Sequence, residues 1–242
     1  MTIAIGLPRR VEPELLDDLD AGDPRAQRSR DDLRRIHRAM ATLSIVLRAL
    51  DGATAGSPPR SILELGAGDG SLMLRLAQRR AARWPDVQLT LLDRLDLVNA
   101  KTLRGFRDIG WTPNVVAMDV FEWLDMDRPI VARWDIVVAN LFMHHFPPDA
   151  LARLLATIAA RSRVFFCCEP RRSALPLAAS HLVGLLGAGP VTRQDAVLSV
   201  HAGFRAQELS ALWPDQGAWQ LREYRAGLFS HAFLATRRSG SQ

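Results

Sequence analysis

Apolar positions divide the chain into three zones. In the first, residues 12–50, Leu33, Ile36, Met40, Leu43, Leu47 and Leu50 recur at steps of three and four. That spacing predicts one helix carrying one apolar stripe. The stripe lasts only about three heptads, so it is expected to pack on the protein's own body rather than form a coiled-coil seam. A breaker-rich segment, 51–60, follows with no apolar period. In the second zone short apolar runs alternate with helical stretches. Strands are predicted at 61–65, 87–92, 114–118, 134–139, 163–168, 219–224 and 229–236, and helices at 71–84, 96–109, 149–161 and 207–213. Such alternation, with continuously apolar central strands, predicts an α/β chain whose mostly parallel sheet is covered by helices on both faces. The last two strands are joined by Tyr224-Arg225-Ala226-Gly227-Leu228, a tight connection expected to make an antiparallel pair at the sheet edge. The third zone, 171–201, interrupts the rhythm after the fifth strand: an apolar helix over 173–186, a Gly187-Ala188-Gly189-Pro190 break, then a more polar arm. An apolar helix outside the sheet must cover something: a pocket, the amino-terminal stripe, a second subunit or a membrane surface.

Composition narrows the class. With 242 residues, 48% of them hydrophobic and 24% charged, the chain suits one domain with a helical appendage and can bury a core. Its two cysteines, Cys167 and Cys168, are adjacent and cannot form a disulfide framework, which points to a reducing, cytoplasmic setting. Pro8-Arg9-Arg10 falls where the apolar core of a signal peptide would run. The longest apolar stretch, 175–189, is broken by Ser180 and His181 and is shorter than the ~20 residues of a membrane-spanning helix. The net charge is +5, and Lys101 is the only lysine. The arginines alternate with acids, as in Arg30-Asp31-Asp32-Leu33-Arg34-Arg35. That pattern reads as solvated helix faces, not as the dense basic patch with interleaved aromatics that a nucleic acid needs. A monomer or homodimer is expected.

The chemistry begins at Ile62-Leu63-Glu64-Leu65-Gly66-Ala67-Gly68-Asp69-Gly70, where the first strand turns into a helix. Glycines there accept positive φ and let backbone approach a ligand. A dinucleotide fingerprint would need glycine at position 71, which is Ser71. The chain at this point resembles the class I S-adenosylmethionine-dependent methyltransferases, and the likeness continues in register over about residues 60–170 and the terminal strand pair. In that family an acid ending the second strand holds the ribose hydroxyls, and Leu91-Leu92-Asp93 matches it, with Arg94 next. An acid after the third strand reads the adenine amine, with the following backbone NH on the ring, and Met118-Asp119-Val120 matches. In that family loop carbonyls beyond the fourth strand lie near the methionine ammonium, and Trp134-Asp135-Ile136-Val137-Val138-Ala139-Asn140 has the strand's form. The resemblance therefore implies a Rossmann-like seven-stranded sheet, S-adenosylmethionine as cofactor and S-adenosylhomocysteine as product. It implies a cofactor site of Glu64, Gly66, Ala67, Gly68, Gly70, Asp93, Arg94, Asp119, Val120 and Asn140, and no metal. Two ribose hydroxyls, an exocyclic amine and an ammonium all suit carboxylate acceptors, and open α/β sheets bind ligands at the carboxyl ends of their strands.

The acceptor is read from Asn140-Leu141-Phe142-Met143-His144-His145-Phe146. Methyltransferases acting on adenine or glutamine carry an Asn-Pro-Pro-aromatic motif here, and this chain lacks both prolines. The string resembles small-molecule methyltransferases that act on phenolic and quinone-type acceptors, including those associated with type III polyketide synthases. The stretches 31–37 and 199–204, with Glu208-Leu209, add to that likeness. His144, His145 and Glu169 are candidate general bases. His37, Met40, Phe142, Met143, Arg171, His181, Leu182 and His201 are candidates for an acceptor pocket roofed by the amino-terminal stripe and the 173–186 helix. The expected division is a lid over 1–54 and a cofactor-binding domain over 55–242, with the insert 171–203 completing the lid. The expected function is O-methylation, or ring-carbon methylation, of an apolar phenolic or polyketide-type small molecule. An RNA methyltransferase, recognisable by salt-dependent RNA binding, and a catalytically silent cofactor binder are the alternatives. A nicotinamide oxidoreductase misread through its glycine turn is separated by titration with S-adenosylhomocysteine against NADH.

Overall fold

A computed structural model describes residues 7–54, 56–126 and 133–238. Along the chain run α1 (Pro24–Ala39), α2 (Thr42–Ala53), β1 (Ser61–Leu65), α3 (Ser71–Arg80), β2 (Gln88–Asp93), α4 (Ala100–Asp108), β3 (Thr112–Ala117) and α5 (Val120–Asp125). Then come β4 (Trp134–Asn140), α6 (Pro148–Arg161), β5 (Ser162–Pro170), α7 (Ala174–Leu182), α8 (Pro190–Ala202), α9 (Glu208–Leu212), β6 (Trp219–Ala226) and β7 (Ser230–Arg237). The strands form one seven-stranded sheet in the order β3-β2-β1-β4-β5-β7-β6, with β7 antiparallel to both neighbours. Among the described residues no helix is long and apolar enough to cross a membrane.

Side chains alternate across each central strand, which explains the two core layers. Ile62, Ile136, Val138, Val164 and Phe166 face α2, α3 and α4, whereas Leu63, Val137, Ala139, Phe165 and Cys167 face α6 and α9. Both cysteines are free and buried, one on each face of β5. Residue Pro113 sits in β3, an edge strand where its missing N–H leaves no ladder bond unmade. Strand order reverses between β1 and β4, opening a crevice at their carboxyl ends, as such switch points do.

The strands match expectation to within a few residues, but the amino-terminal stripe does not lie on one helix. Met40 ends α1 and Ala41 takes φ +54°, so the chain turns before α2 begins. Leu43, Leu47 and Leu50 then pack into the sheet core, while Leu33, Ile36 and Met40 face a cavity elsewhere. Periodicity continued through the break because one left-handed residue shifts the helix axis without changing the count of three and four. Helix α2 also runs into the expected linker as far as Ala53, and residue 55 lies outside the described residues, as do residues 1–6. The short α5 escaped the apolar pattern. It is set by Asp119, whose Oδ1 accepts the Phe121 N–H at 2.7 Å, an N-cap.

The insert after β5 folds back as α7, a 3-10 turn (Val183–Leu186) and α8. Asp32 of α1 is 1% exposed and accepts from Gly189 N–H at 2.7 Å and Thr192 Oγ at 2.9 Å, tying α1 to the start of α8. Asp195 of α8 accepts from the N–H groups of Leu15 and Leu16 at 2.8 and 3.0 Å, which pins the arm preceding α1. These two carboxylates hold arm, α1 and insert as one layer above the crevice.

Candidate active site

Three glycines shape the floor of the crevice. Gly66, Gly68 and Gly70 have φ of +67°, +55° and +70°, a region that costs other residues about 1–2 kcal/mol. A Cβ on Gly66 would stand 2.5 Å from Phe142 Cδ2, so the turn also makes room for the loop after β4. Asp93, at the tip of β2, accepts from Gly68 N–H at 2.8 Å through Oδ2 and from Leu95 N–H at 3.0 Å through Oδ1. It thus holds the glycine turn and its own loop while its remaining lone pairs face the hollow. Glu64, Gly66, Ala67, Gly68, Asp93, Asn140 and Leu141 line one part of that hollow. Arg94, Met118, Asp119, Val120, Phe142, His145 and Phe146 line the adjoining part. Gly70 lies beneath it, packed against Leu91, Thr102 and Phe106.

The hollow asks for a ligand with hydrogen-bond donors. Glu64 Oε2 and Asn140 Oδ1 are buried without a partner, and a buried orphan acceptor is costly. Burial first, then the nearby Asp93 and Asp69, push the Glu64 carboxyl well above its usual range. A cationic group placed there would remove both penalties. Phe142 and Phe146 meet edge to face at 5.0 Å beside Asp119, an apolar wall next to an acid. Acceptors at one end and a flat apolar wall with a carboxylate at the other fit a nucleoside bearing an amino acid.

A second cluster lies where the loop after β4 meets the arm. Glu169, buried at the end of β5, accepts from the N–H groups of Phe142 and Met143 at 3.1 and 3.0 Å, and its Oε2 lies 2.7 Å from His144 Nδ1. It therefore holds the turn and orients the imidazole. The other ring nitrogen, Nε2, faces Glu14 Oε1 at 3.3 Å, and Ser199 Oγ donates to the same oxygen. Burial opposes a charge on His144, but the two carboxylates outweigh it and raise its pKa to about 9. Burial likewise pushes Glu14 up, and the bond to His144 overcomes it, so Glu14 ends below its usual range. His145 Nδ1 lies 3.2 Å from Asp17. Arg9 clamps the arm by donating to the carbonyls of His144, Phe146 and Ala202.

Beside the hollow is an apolar cavity of about 210 Å³. Leu33, Ile36 and Met40 of α1 form one wall, and Pro176, Ala179, Ser180, Val183 and Leu186 of the insert form another. Its charged lining groups are Glu14 and Asp195, and Asp195 is committed to the arm. Glu14, Leu16, Leu33, Leu141 and Ser199 line both the cavity and the hollow, so the two spaces share one wall.

Several expected pocket residues lie elsewhere. Leu182 is 58% exposed and His181 is exposed, because α7 presents Ala179, Ser180 and Val183 inward instead. Met143 is fully buried in the core under the sheet. Arg171 donates from Nε to Ser173 Oγ and from its backbone N–H to the Phe229 carbonyl, off the cavity. His201 also lies off it, its carbonyl accepting from Arg10 N–H. His37 faces the hollow, where burial lowers its pKa to about 4. Met40 lines the cavity and Phe142 the hollow. Sequence reasoning missed Glu14, Leu16 and Asp17, because the segment before α1 has no periodic pattern to mark it.

Residues 33–223 match the family described as a methyltransferase domain. The chain is 34% identical over 88 residues to the trans-aconitate 2-methyltransferase of Rhodococcus jostii (strain RHA1), a match spanning 31% of this chain and 33% of that relative. Among solved structures it is similar to the plantazolicin methyltransferase BpumL in complex with SAH (TM-score 0.65, 13% identity, 90% of this chain and 92% of that one). It is also similar to the magnesium protoporphyrin IX methyltransferase ChlM from Synechocystis PCC 6803 with bound SAM (TM-score 0.54, 14% identity, 90% and 87%). At such identities the structural likenesses show a shared fold. Taken with the family match over most of the chain and the donor-seeking hollow at the sheet's switch point, they lead to one conclusion: the chain belongs to the methyltransferase-domain family.

Proposed function

We propose that the enzyme methylates a hydroxyl group on an apolar phenolic or polyketide-type small molecule. The observation that carries this is the apolar cavity sharing a wall with the cofactor hollow, whose charged lining groups are carboxylates. Such a lining repels carboxylate acceptors of the kind named for the trans-aconitate relative and welcomes a neutral hydroxyl. Bound S-adenosylmethionine supplies an electrophilic methyl group on sulfur. Asp93 and Asp119 hold the ribose and adenine, and Glu64 and Asn140 hold the ammonium. Arg94 fixes the arm through the Asp17 carbonyl. Positioning the acceptor in line with that methyl can supply most of the acceleration.

Glu14 is the ionised group on both sides of the shared wall, and it would take the hydroxyl proton as the methyl group leaves sulfur for the acceptor oxygen. His144 holds Glu14 in place and Glu169 positions His144 from behind. Before the reaction the His144 imidazolium carries two ring protons, one toward each carboxylate, and the acceptor's proton would add a third, on Glu14. A ring-carbon acceptor would use the same groups, because it too must lose a phenolic proton. The division into a lid over 1–54 completed by 171–203 and a cofactor domain over 55–242 belongs to this proposal, with α2 as the part of the lid packed on the sheet.

The test combines an acceptor panel with Glu14→Gln. Incubation with phenols, quinols, amines and carboxylic acids, read by product mass, should yield methyl ethers, or C-methyl products, of the apolar phenols. Glu14→Gln should lower kcat by about 10²–10⁴-fold, the range for a general base, with S-adenosylhomocysteine affinity nearly unchanged. Methylation of carboxylic acids in place of phenols, or an unchanged kcat, would overturn the reading.

A further inference from the structure

The outer face of the insert is unusual for a surface. Leu175, Leu182, Leu185 and Leu186 are 50, 58, 83 and 69% exposed, side by side on α7 and the turn after it. Leu186 is also part of the cavity wall, so the patch sits at the cavity's mouth. Two exposed arginines frame it. Arg28 donates to the Gly187 carbonyl at 3.4 Å, and the Arg193 side chain lies against Gly184, its Cδ 2.8 Å from where a Cβ would stand. Neither is in a salt bridge among the described residues, unlike Arg25, Arg34 and Arg35 of the same lid layer.

We propose that this face docks the enzyme on the surface of an anionic lipid bilayer, with the cavity mouth turned toward the lipid. Leucines that penetrate the headgroup boundary with arginines beside them are the elements of an interfacial lid, and each cation near an anionic leaflet adds attraction. A second copy of the chain is a poorer occupant. Four partly exposed leucines offer on the order of 400 Å², the size at which patches become functional but about half of what one side of a standard dimer buries. Two unneutralised arginines would also face their own copies across a two-fold axis. The proposal rests on the acceptor reading only for the purpose of docking, namely loading an apolar acceptor from the bilayer; binding to lipid is measured without any acceptor.

The experiment is co-sedimentation of the full chain with phosphatidylcholine vesicles, with and without phosphatidylglycerol, at low and high salt. Binding is expected with phosphatidylglycerol, weakened by salt, and near zero with phosphatidylcholine alone. Arg28→Gln with Arg193→Gln should lower partitioning about thirtyfold, and Leu182→Asp with Leu185→Asp should abolish it. None of these four side chains lines the hollow or the cavity, so S-adenosylhomocysteine affinity serves as the folding control and should not move. No sedimentation with anionic vesicles, or equal binding to neutral ones, overturns the proposal. So does a dimer in light scattering that Leu185→Asp dissociates while vesicles leave the wild type unbound. Failure of the phenol panel with vesicle binding intact would overturn the acceptor reading alone.

Discussion

Replacing Glu64 by glutamine should strengthen the empty enzyme and weaken its grip on the cofactor at the same time. Glu64 is 3% exposed, its Oε2 has no partner, and burial followed by Asp93 and Asp69 raises its pKa well above 4.5. In the unfolded chain a glutamate ionises near 4.3, at about 1.4 kcal/mol per pH unit of difference. Between the unfolded and folded values the folded chain binds more protons. The stability owed to this group is therefore complete below the unfolded pKa and declines as pH rises toward the folded one. Glutamine removes that slope, so the empty Glu64→Gln variant should melt higher than wild type at pH 8 and equal to it near pH 4. A cationic ammonium favours the ionised carboxylate, which reverses the sign for binding. Wild-type affinity for S-adenosylhomocysteine should rise with pH across the same window, with a proton released on binding. The variant should lose that pH dependence together with a charge-assisted hydrogen bond of about 1.5–3 kcal/mol, about ten- to 150-fold in Kd. Thermal melts of empty and loaded protein at several pH values, with calorimetry in two buffers of different ionisation enthalpy, read both halves. A variant less stable than wild type at pH 8, or wild-type binding that releases no proton, would refute the reasoning.

Three further outcomes follow from particular contacts. Ala179→Trp projects into the 210 Å³ cavity and should abolish turnover of bulky phenols at a stability change within about 1–3 kcal/mol, leaving cofactor titrations as they are. Because His144 is raised from 6.5 to about 9 by Glu14 and Glu169 against its burial, its contribution is complete below pH 6.5 and is lost as pH rises through 9. Trypsin should therefore cut the arm at Arg9 or Arg10 faster at pH 9.5 than at pH 7, and His144→Asn should erase the difference. A Cβ on Gly203 would stand 2.3 Å from the Pro170 carbonyl oxygen, a backbone atom that cannot move alone. Gly203→Ala should cost about 1–3 kcal/mol, visible as a lower Tm in calorimetry.

How much of this was legible beforehand depends on the range of the interaction involved. The seven strands could be read because each central strand is apolar on both faces over consecutive residues, a local property of composition. Gly66, Gly68, Asp93, Asp119 and Asn140 could be read because they belong to short motifs at strand ends, and strand ends were already placed. The lid could be read only as apolar stretches. Whether Leu182 or Ala179 faces inward turns on how α7 is rolled against α8, and Asp32 and Asp195 fix α8 through bonds between residues more than 150 positions apart.

The chain's own order of residues thus specified the sheet and the turns that line the hollow, since both arise from contiguous segments and their periodicity. The buried Glu14–His144–Glu169 cluster and the cavity came from assembly in space. Glu14, His144, Glu169 and Ser199 come from four separate segments, and no spacing along the chain encodes their meeting. A helical stripe that looked continuous was divided between the core and the cavity by one left-handed residue, Ala41. Local pattern says which residues avoid water; only packing says what they avoid it against.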